Sequence, residues 1–571
     1  MNHLLASRRL LLLAAVASAT PVLAQYTSLN RDVLTPNTGI WSAGGVTLGG
    51  TKFTNLGLQG VGYIPANTID PVTGETVGSI SDMQITGWAK NENGTYSGTF
   101  NFLPDRGYNS GSTFSNIGAR INTFDFSFTP YTSNAVLTPP SGTQHATQQI
   151  STSFTGSTLF TYDHDGNSGT ATVPTSGQLA NAAFVPGAGV FAGVNIPTVS
   201  GNTTTPLLGG STVANRLSLD AEGLVFDNRP GRSGTGWVSD EYGANIYHFN
   251  ASKVIDGVLG VPAALVPHKP AGTPKYDVTP DNGRRDNQGF EGVTTSPDGN
   301  RLFTLLQSAT IQDSGSGNQN RANAVRLLEY DISSTTAPTD PTHQYVIQLP
   351  RIDDNGATGG VAVNRAGAQS SIIALNDHQL LILSRDGNGR GASGSPVFKS
   401  ILLADLNGAT DIDGSFDGEA GLTTTGVGTG VLNPALTTIT WTEALNLIGK
   451  LDLSVTELEQ FGLNLSTAPG DLNTVSEKWE ALFLVPANDP VAPNDYFLFV
   501  GNDNDFITAS TKMYDGAGNL ITIGSSAFEN DSMVLAYRVS VEAVPEASTY
   551  GAGAAVMLAV GGLWWRRRAR A

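Results

Sequence analysis

Short runs of leucine, β-branched and aromatic residues recur through the middle of the chain and stop at glycine, asparagine or aspartate. Leu302-Phe303-Thr304-Leu305-Leu306 and Phe497-Leu498-Phe499-Val500-Gly501 are examples. Apolar runs of this length, bounded by turn-forming residues, predict strands, and their density predicts an all-β protein. A helical pattern stands out in one stretch, Trp441 to Phe461. There Ser454 and Glu457 have the spacing of a capping box ahead of Leu458 and Phe461, which predicts one small helical insertion.

The strands fall into five strand–turn–strand units. The first opens at Ile80-Ser81-Asp82-Met83 and closes at Phe102-Leu103-Pro104-Asp105-Arg106-Gly107. The second opens at Leu219-Asp220-Ala221-Glu222-Gly223-Leu224 and closes at Trp237-Val238-Ser239-Asp240-Glu241-Tyr242-Gly243. The third runs from Gly289-Phe290-Glu291-Gly292-Val293 to Gln307, and its centre, Ser296-Pro297-Asp298-Gly299-Asn300, is a strong turn signal. The fourth runs from Ile372-Ile373-Ala374-Leu375 to Leu381-Ile382-Leu383-Ser384-Arg385-Asp386. The fifth runs from Lys478-Trp479-Glu480-Ala481-Leu482 to Asn502-Asp503-Asn504-Asp505.

In an antiparallel hairpin the start of the first strand lies beside the end of the second. Glu222 is therefore expected beside Asp240, Glu291 beside Gln307, and Glu480 beside Asp503. Arranged radially, such hairpins form the blades of a β-propeller-like array, with these polar ends converging at one mouth of the channel. The units lie farther apart than the roughly 40–50 residues of a compact blade. Long insertions must therefore intervene, about Tyr131 to Asn215 and about Leu406 to Asn473.

The two ends read differently. Arg8 and Arg9 precede an apolar run, Leu10 to Val16, and small residues lead to Val22-Leu23-Ala24. This is the layout of a secretory signal peptide, 1–24, cleaved after Ala24; the run is short for a membrane span. Ser7-Arg8-Arg9-Leu10-Leu11 also has something of a twin-arginine signal, so the export route stays open. Cleavage leaves a domain of 25–543 ahead of the tail, 544–571. With signal and tail removed, 25 basic residues face 48 acidic ones, a net charge of −23. Such a surface excludes nucleic acid as a partner. The chain has no cysteine, which excludes disulfides, thiol catalysis and zinc–thiolate sites.

In the tail, Val544-Pro545-Glu546-Ala547-Ser548-Thr549 leads into an apolar segment, Gly551 to Trp565, and then Arg566-Arg567-Arg568-Ala569-Arg570. This three-part layout resembles the PEP-CTERM sorting tail of Gram-negative bacteria, with Ala547 in place of the second motif proline. The resemblance implies processing by an exosortase-type membrane protease and delivery to the envelope or beyond, with transient anchoring. The arginine cluster would hold its end on the cytoplasmic side of the membrane.

The motifs within the units resemble, in order, those of the phytase-like family, described as having esterase-like activity of phytase. They are Asp105-Arg106-Gly107, Asp220-Ala221-Glu222-Gly223-Leu224 with Asp240-Glu241-Tyr242-Gly243, Gly289-Phe290-Glu291-Gly292, Arg385-Asp386, and Asn502-Asp503-Asn504-Asp505-Phe506. Together they cover roughly Ser79 to Val539. The chain departs from the family in carrying Ser384 where a glutamate usually precedes Arg385, and Ala481 where a glycine follows Glu480. The resemblance implies a propeller-like fold and hydrolysis of phosphate esters.

That chemistry needs charge neutralisation around the phosphoryl oxygens and an activated water. Carboxylates repel phosphate, but they can meet it through Ca²⁺ or Mg²⁺, which take oxygen ligands and leave positions open. The metal-ligand candidates are Asp105, Glu222, Asp240, Glu291, Glu480 and Asp503. Arg106 and Arg385 are candidates to grip a phosphate, with Asp386 beside the second, and Glu241 to serve as base. Asp163-His164-Asp165-Gly166-Asn167 and Asp411-Ile412-Asp413-Gly414 look like calcium-loop fragments, but without a later glutamate they read as plain turns. The rival reading is a non-catalytic propeller that binds exopolysaccharide or another envelope component, with structural metal.

Overall fold

The computed structural model describes residues 45–544 apart from internal stretches, the longest being 163–173, 180–186, 200–215, 353–364, 423–430 and 450–456. The signal, the sorting tail from Pro545 on and Asp163–Asn167 lie outside the described residues. The chain is nearly all-β. Five antiparallel blades stand around a central channel, and each of the five sequence units forms the two innermost strands of one blade.

The first blade is Asp82–Lys90, Tyr96–Leu103, Arg120–Phe128 and Ile150–Leu159. The second is Ala221–Phe226, Gly236–Asp240, Asn245–Phe249 and Val254–Val258, with Thr161–Tyr162 added in parallel at its edge. Phe290–Thr295, Arg301–Leu306, Ala324–Asp331 and His343–Gln348 make the third. Ala368–Ala374, Gln379–Arg385, Lys399–Asp405 and Thr440–Asn446 make the fourth. Each innermost strand packs on the next, and Lys478–Pro486 of the fifth packs back on Asp82–Lys90 of the first, so the ring is closed.

The fifth blade closes the circle with strands from both ends. Outside Asp495–Asp503 runs the C-terminal strand Ser532–Ala543, and outside that the long N-terminal strand Thr51–Ile64. An aromatic layer seals the seam between first and fifth blades: Phe128 meets Phe497 edge-on at 5.0 Å, and Phe100 meets Phe499 at 5.6 Å. Such pairs add about 0.5–1.5 kcal/mol beyond the area they bury.

The glycine of the Glu-Gly motif has a packing reason. A Cβ on Gly223 would lie 2.2 Å from the carbonyl oxygen of Glu291 in the next blade. Ser239 Oγ donates to that same carbonyl at 2.8 Å. The second and third blades thus approach through backbone, which only glycine permits. In the fifth blade Ala481 occupies the corresponding position and is fully buried.

The helical expectation over Trp441–Phe461 is corrected. Thr440–Asn446 is the outer strand of the fourth blade, and the helix is one turn, Glu457–Gln460. Ser454 lies outside the described residues, and Glu457 reaches inward rather than capping. Its carboxyl accepts from Asn55 Nδ2 at 2.7 Å, and burial pushes its pKa up to about 7. A carboxyl raised above its unfolded value of about 4.3 contributes stability below that value and loses it as pH rises through about 7. Glu457→Gln should therefore match the parent's melting temperature near pH 4 and exceed it at pH 8. Thermal melts at the two pH values check this; a variant less stable at both would mean the ionised carboxylate is needed.

Candidate functional site

The start of every innermost strand faces one mouth of the channel, as the hairpin geometry requires. The acids reach it through a shared irregularity. In the second, third and fifth blades the register slips at Ala221/Leu224, Phe290/Gly292 and Trp479/Ala481. These bulges re-aim Glu222, Glu291 and Glu480, an established use of an extra strand residue. The fourth blade has the same slip at Gln369/Ser371, with Ser370 at the glutamate's place. Its contribution to the mouth is a cation, Arg385.

Glu222, Glu291 and Glu480 do converge. Burial holds the Glu222 carboxyl well above its usual range, and the charges of Glu291, Asp220, Glu241 and Glu480 push it further. Glu291 is raised to about 8 by burial and then by Glu480. Gln307 Nε2 bridges Glu291 Oε1 and Glu241 Oε1, the latter at 3.0 Å. Glu241 is itself well above the usual range through burial, Glu291 and Asp220.

Asp105 joins this group from the first blade. Its Oδ1 accepts from Ser79 Oγ and the Gly107 amide, both at 3.0 Å, and burial followed by the charge of Asp220 raises it to about 7. From the fifth blade, Asp503 is raised well above its range by burial despite Lys478 Nζ at 3.2 Å. Asp505 is the exception: burial works upward, but Lys478 pairs with it directly and holds it below the usual carboxylate range. Lys478 is correspondingly raised, with Asp505, Asp503, Glu480 and Asp105 overcoming its own burial.

The two candidate arginines differ. Arg106 Nη1 lies 3.4 Å from Asp220 Oδ2 and bonds Asn287, and the guanidinium stands 6.0 Å from the Tyr242 ring. Its own amide donates to Asp220 Oδ1 at 3.0 Å. Arg385 is paired with Glu480, and both side chains are almost wholly buried.

Asp240 and Asp386 stand apart from the others. Asp240 accepts from the backbone amides of Asp220, Tyr242 and Gly243 at 2.9, 3.2 and 2.8 Å, which fixes the turn carrying Glu241. Asp386 accepts from the amides of Val397 and Phe398 and from Lys399 Nζ at 3.0 Å. Both are turn anchors in this geometry. Asp411 behaves as its sequence suggested, accepting from the amides of Gln344 and Asp413 in a turn.

Asp220, Asp505 and Lys478 are the members that sequence reasoning did not single out. Each stands one or two residues from a candidate and inside a quoted motif, so the signal was position within the unit.

Among the described residues the mouth thus gathers Asp105, Asp220, Glu222, Glu241, Glu291, Glu480, Asp503 and Asp505 about the cations Arg106, Arg385 and Lys478, with Glu477 adjoining at Asp505. Two subsets have donor atoms within 4.8 Å of one another: Asp105, Asp220 and Glu222, and Asp105, Asp503 and Asp505. Asp220 Oδ2 and Glu291 Oε2 are buried without a hydrogen bond. Hard oxygen donors with unused lone pairs fit Ca²⁺ or Mg²⁺ rather than softer ions. The opposite end of the channel holds a cavity of about 410 Å³ lined largely by apolar side chains such as Val225, Val293, Ile372 and Leu482.

The family model described as "Phytase-like: Esterase-like activity of phytase" matches residues 94–506. A protein of Arthroderma benhamiae described as an uncharacterized secreted protein is 32% identical over 509 residues, 83% of this chain and 90% of its own length. Among solved structures, the calcium structure of a Trichoderma reesei carbohydrate-active enzyme of family AA12 is 12% identical, with a TM-score of 0.25. It covers 88% of this chain and 99% of its own. The N-terminal domain of Nup159 is 8% identical, covers 90% and 99%, and has a TM-score of 0.26.

Proposed function

The chain belongs to the phytase-like family, and from that membership and the acidic mouth we propose an exported, metal-dependent hydrolase of phosphate esters. The observation that supports the reading is the Asp105–Asp220–Glu222 group beside Arg106, where three clustered carboxylates and a guanidinium share one opening. Calcium is the first choice of ion and magnesium the second. When bound, the ion would neutralise phosphoryl oxygens and acidify a water.

The chain's own residues supply the rest. Arg106 grips the ester's phosphate through its fork. Glu241, whose carboxyl is raised by its surroundings, takes a proton from the attacking water at the oxygen opposite the Gln307 bond. Arg385 holds Glu480 in place and offsets the charge of Glu291. The substrate is a small phosphate ester.

Export rests on the signal-like N-terminus and on the relative described as secreted. Sorting by an exosortase-type protease, with membrane contact through the tail, rests on the tail's three-part layout; among the described residues no helix is long and apolar enough to cross a membrane.

The test is hydrolysis of phosphomonoesters and phosphodiesters by protein recovered from outside the cytoplasm, with Ca²⁺, with Mg²⁺ and with chelator. Turnover that needs a divalent ion is expected. Turnover unaffected by chelator would overturn the metal role. No hydrolysis alongside binding to exopolysaccharide would overturn the enzyme, and protein retained in the cytoplasm would overturn export.

A further inference from the structure

The two carboxylate triads share Asp105 but differ in what already sits within them. In the Asp105–Asp503–Asp505 triad, Lys478 Nζ lies 3.2 Å from Asp503 Oδ2 and pairs still more closely with Asp505. The lysine comes from the first residue of the innermost strand, and its side chain is 28% exposed, so it enters from the rim. An ammonium between two carboxylates occupies the place, and supplies the charge, that a cation would.

The Asp105–Asp220–Glu222 triad has a cation at one edge only: Arg106 Nη1 lies 3.4 Å from Asp220 Oδ2, whereas no ion pair to Glu222 is seen among the described residues. Arg106 flanks it at Asp220 and is held aside by Asn287 and the Tyr242 ring. Glu222 is only 6% exposed, and the four charged groups that act on it most strongly, Glu291, Asp220, Glu241 and Glu480, are all carboxylates. Its neighbour Asp220 is fully buried, and its Oδ2 accepts no hydrogen bond, facing only the Arg106 guanidinium at 3.4 Å. Burying an ionised carboxylate among like charges is very costly unless a cation joins it.

We propose that the mouth takes one divalent cation, at Asp105, Asp220 and Glu222, and that Lys478 is a built-in cation filling the adjoining triad. Lys478 thereby sets the stoichiometry, because an ion beside it would meet both its charge and the first ion's. This rests on the metal-dependent reading of the mouth and goes beyond it in fixing the ion count and in giving Lys478 the place of a second ion.

The experiment is calcium binding to the full chain by titration calorimetry, without substrate. The parent should bind one Ca²⁺. Glu222→Gln should lose that ion or weaken it at least a hundredfold. Lys478→Met, by freeing Asp503 and Asp505, should bind two, and Lys478→Arg one. Lys478→Met/Glu222→Gln should bind one at the vacated triad. Far-UV circular dichroism confirms the fold of each variant; should Lys478→Met not fold, Glu222→Gln and Lys478→Arg decide. Two ions in the parent, undiminished binding in Glu222→Gln, or one ion in a folded Lys478→Met would each overturn the proposal. Because no ester is present, these outcomes are independent of hydrolysis. One bound ion without turnover would overturn the enzyme alone, and ion-dependent turnover with a different count would overturn the lysine's role alone.

Discussion

Arg385→Met should destabilise the folded protein by about 3–5 kcal/mol, the usual consequence of removing one partner from a buried ion pair. The side chains of Arg385 and Glu480 are 8% and 4% exposed, so water cannot replace the lost guanidinium. The arginine also faces Glu291, Asp503 and Asp505, whose charges hold its own proton firmly against the cost of burial. Its removal leaves several carboxylates uncompensated at once. The pair also joins the fourth blade to the fifth, so the loss falls on a blade interface. Arg385→Met/Glu480→Gln should recover most of the loss, because it removes the stranded charge together with its partner. A double-mutant cycle from urea midpoints, read only where the m-values agree, measures the coupling. A single-variant loss below about 1 kcal/mol, the worth of an exposed pair, would show that the pair is solvated and that Arg385 is free to serve substrate.

The five hairpins and the acid-bearing mouth were legible because both rest on local pattern: a run, a turn, a run, and the antiparallel rule that brings their ends together. The closing strand Thr51–Ile64 was not, since it precedes the first unit and pairs with Ser532–Ala543 across nearly the whole chain. The segment from Trp441 carries a helical pattern but forms a strand, for a physical reason. Trp441, Ala444, Leu445 and Ile448 are all buried and fall at helical spacing, yet the strand is covered on both faces and so shows no alternation. At the site, residue types were legible and their aim was not. Glu222, Glu291 and Glu480 enter the mouth through bulges, which leave no mark in a single sequence beyond a following small residue. Asp240 and Asp386 have the same character as the acids that converge, but neighbouring amides take up their oxygens. Asp505 adopts a left-handed backbone, φ 52°, and its amide donates to Asp503 Oδ1 at 2.7 Å. The turn that results brings both carboxyls onto Lys478, a convergence that spacing alone does not reveal.

Arg106→Met should lower kcat/KM for the phosphate ester by about 10²–10³, the range for removing one preorganised donor from a developing oxyanion. The fold should survive it, because the local chain is anchored without the guanidinium. The Arg106 amide donates to Asp220 Oδ1, the Gly107 amide to Asp105 Oδ1, and Gly107 takes a positive φ of 85° that suits the tight turn. The side chain is 11% exposed and sits at the edge of the proposed ion site rather than among its ligands. Calcium stoichiometry should therefore hold at the parent's value in Arg106→Met, with affinity equal or tighter once a competing cation has left Asp220. Arg106→Lys restores charge without the planar fork and should recover only part of the rate, since a point charge cannot make two parallel bonds to one phosphate. Guanidinium added to Arg106→Met should restore some turnover at concentrations too low to unfold the protein. This set separates catalysis from architecture. A variant with full turnover and weakened calcium binding would make Arg106 a support for Asp220. Loss of turnover with calcium binding intact, partial recovery in Arg106→Lys and rescue by guanidinium is the result expected of an arginine that holds the phosphate.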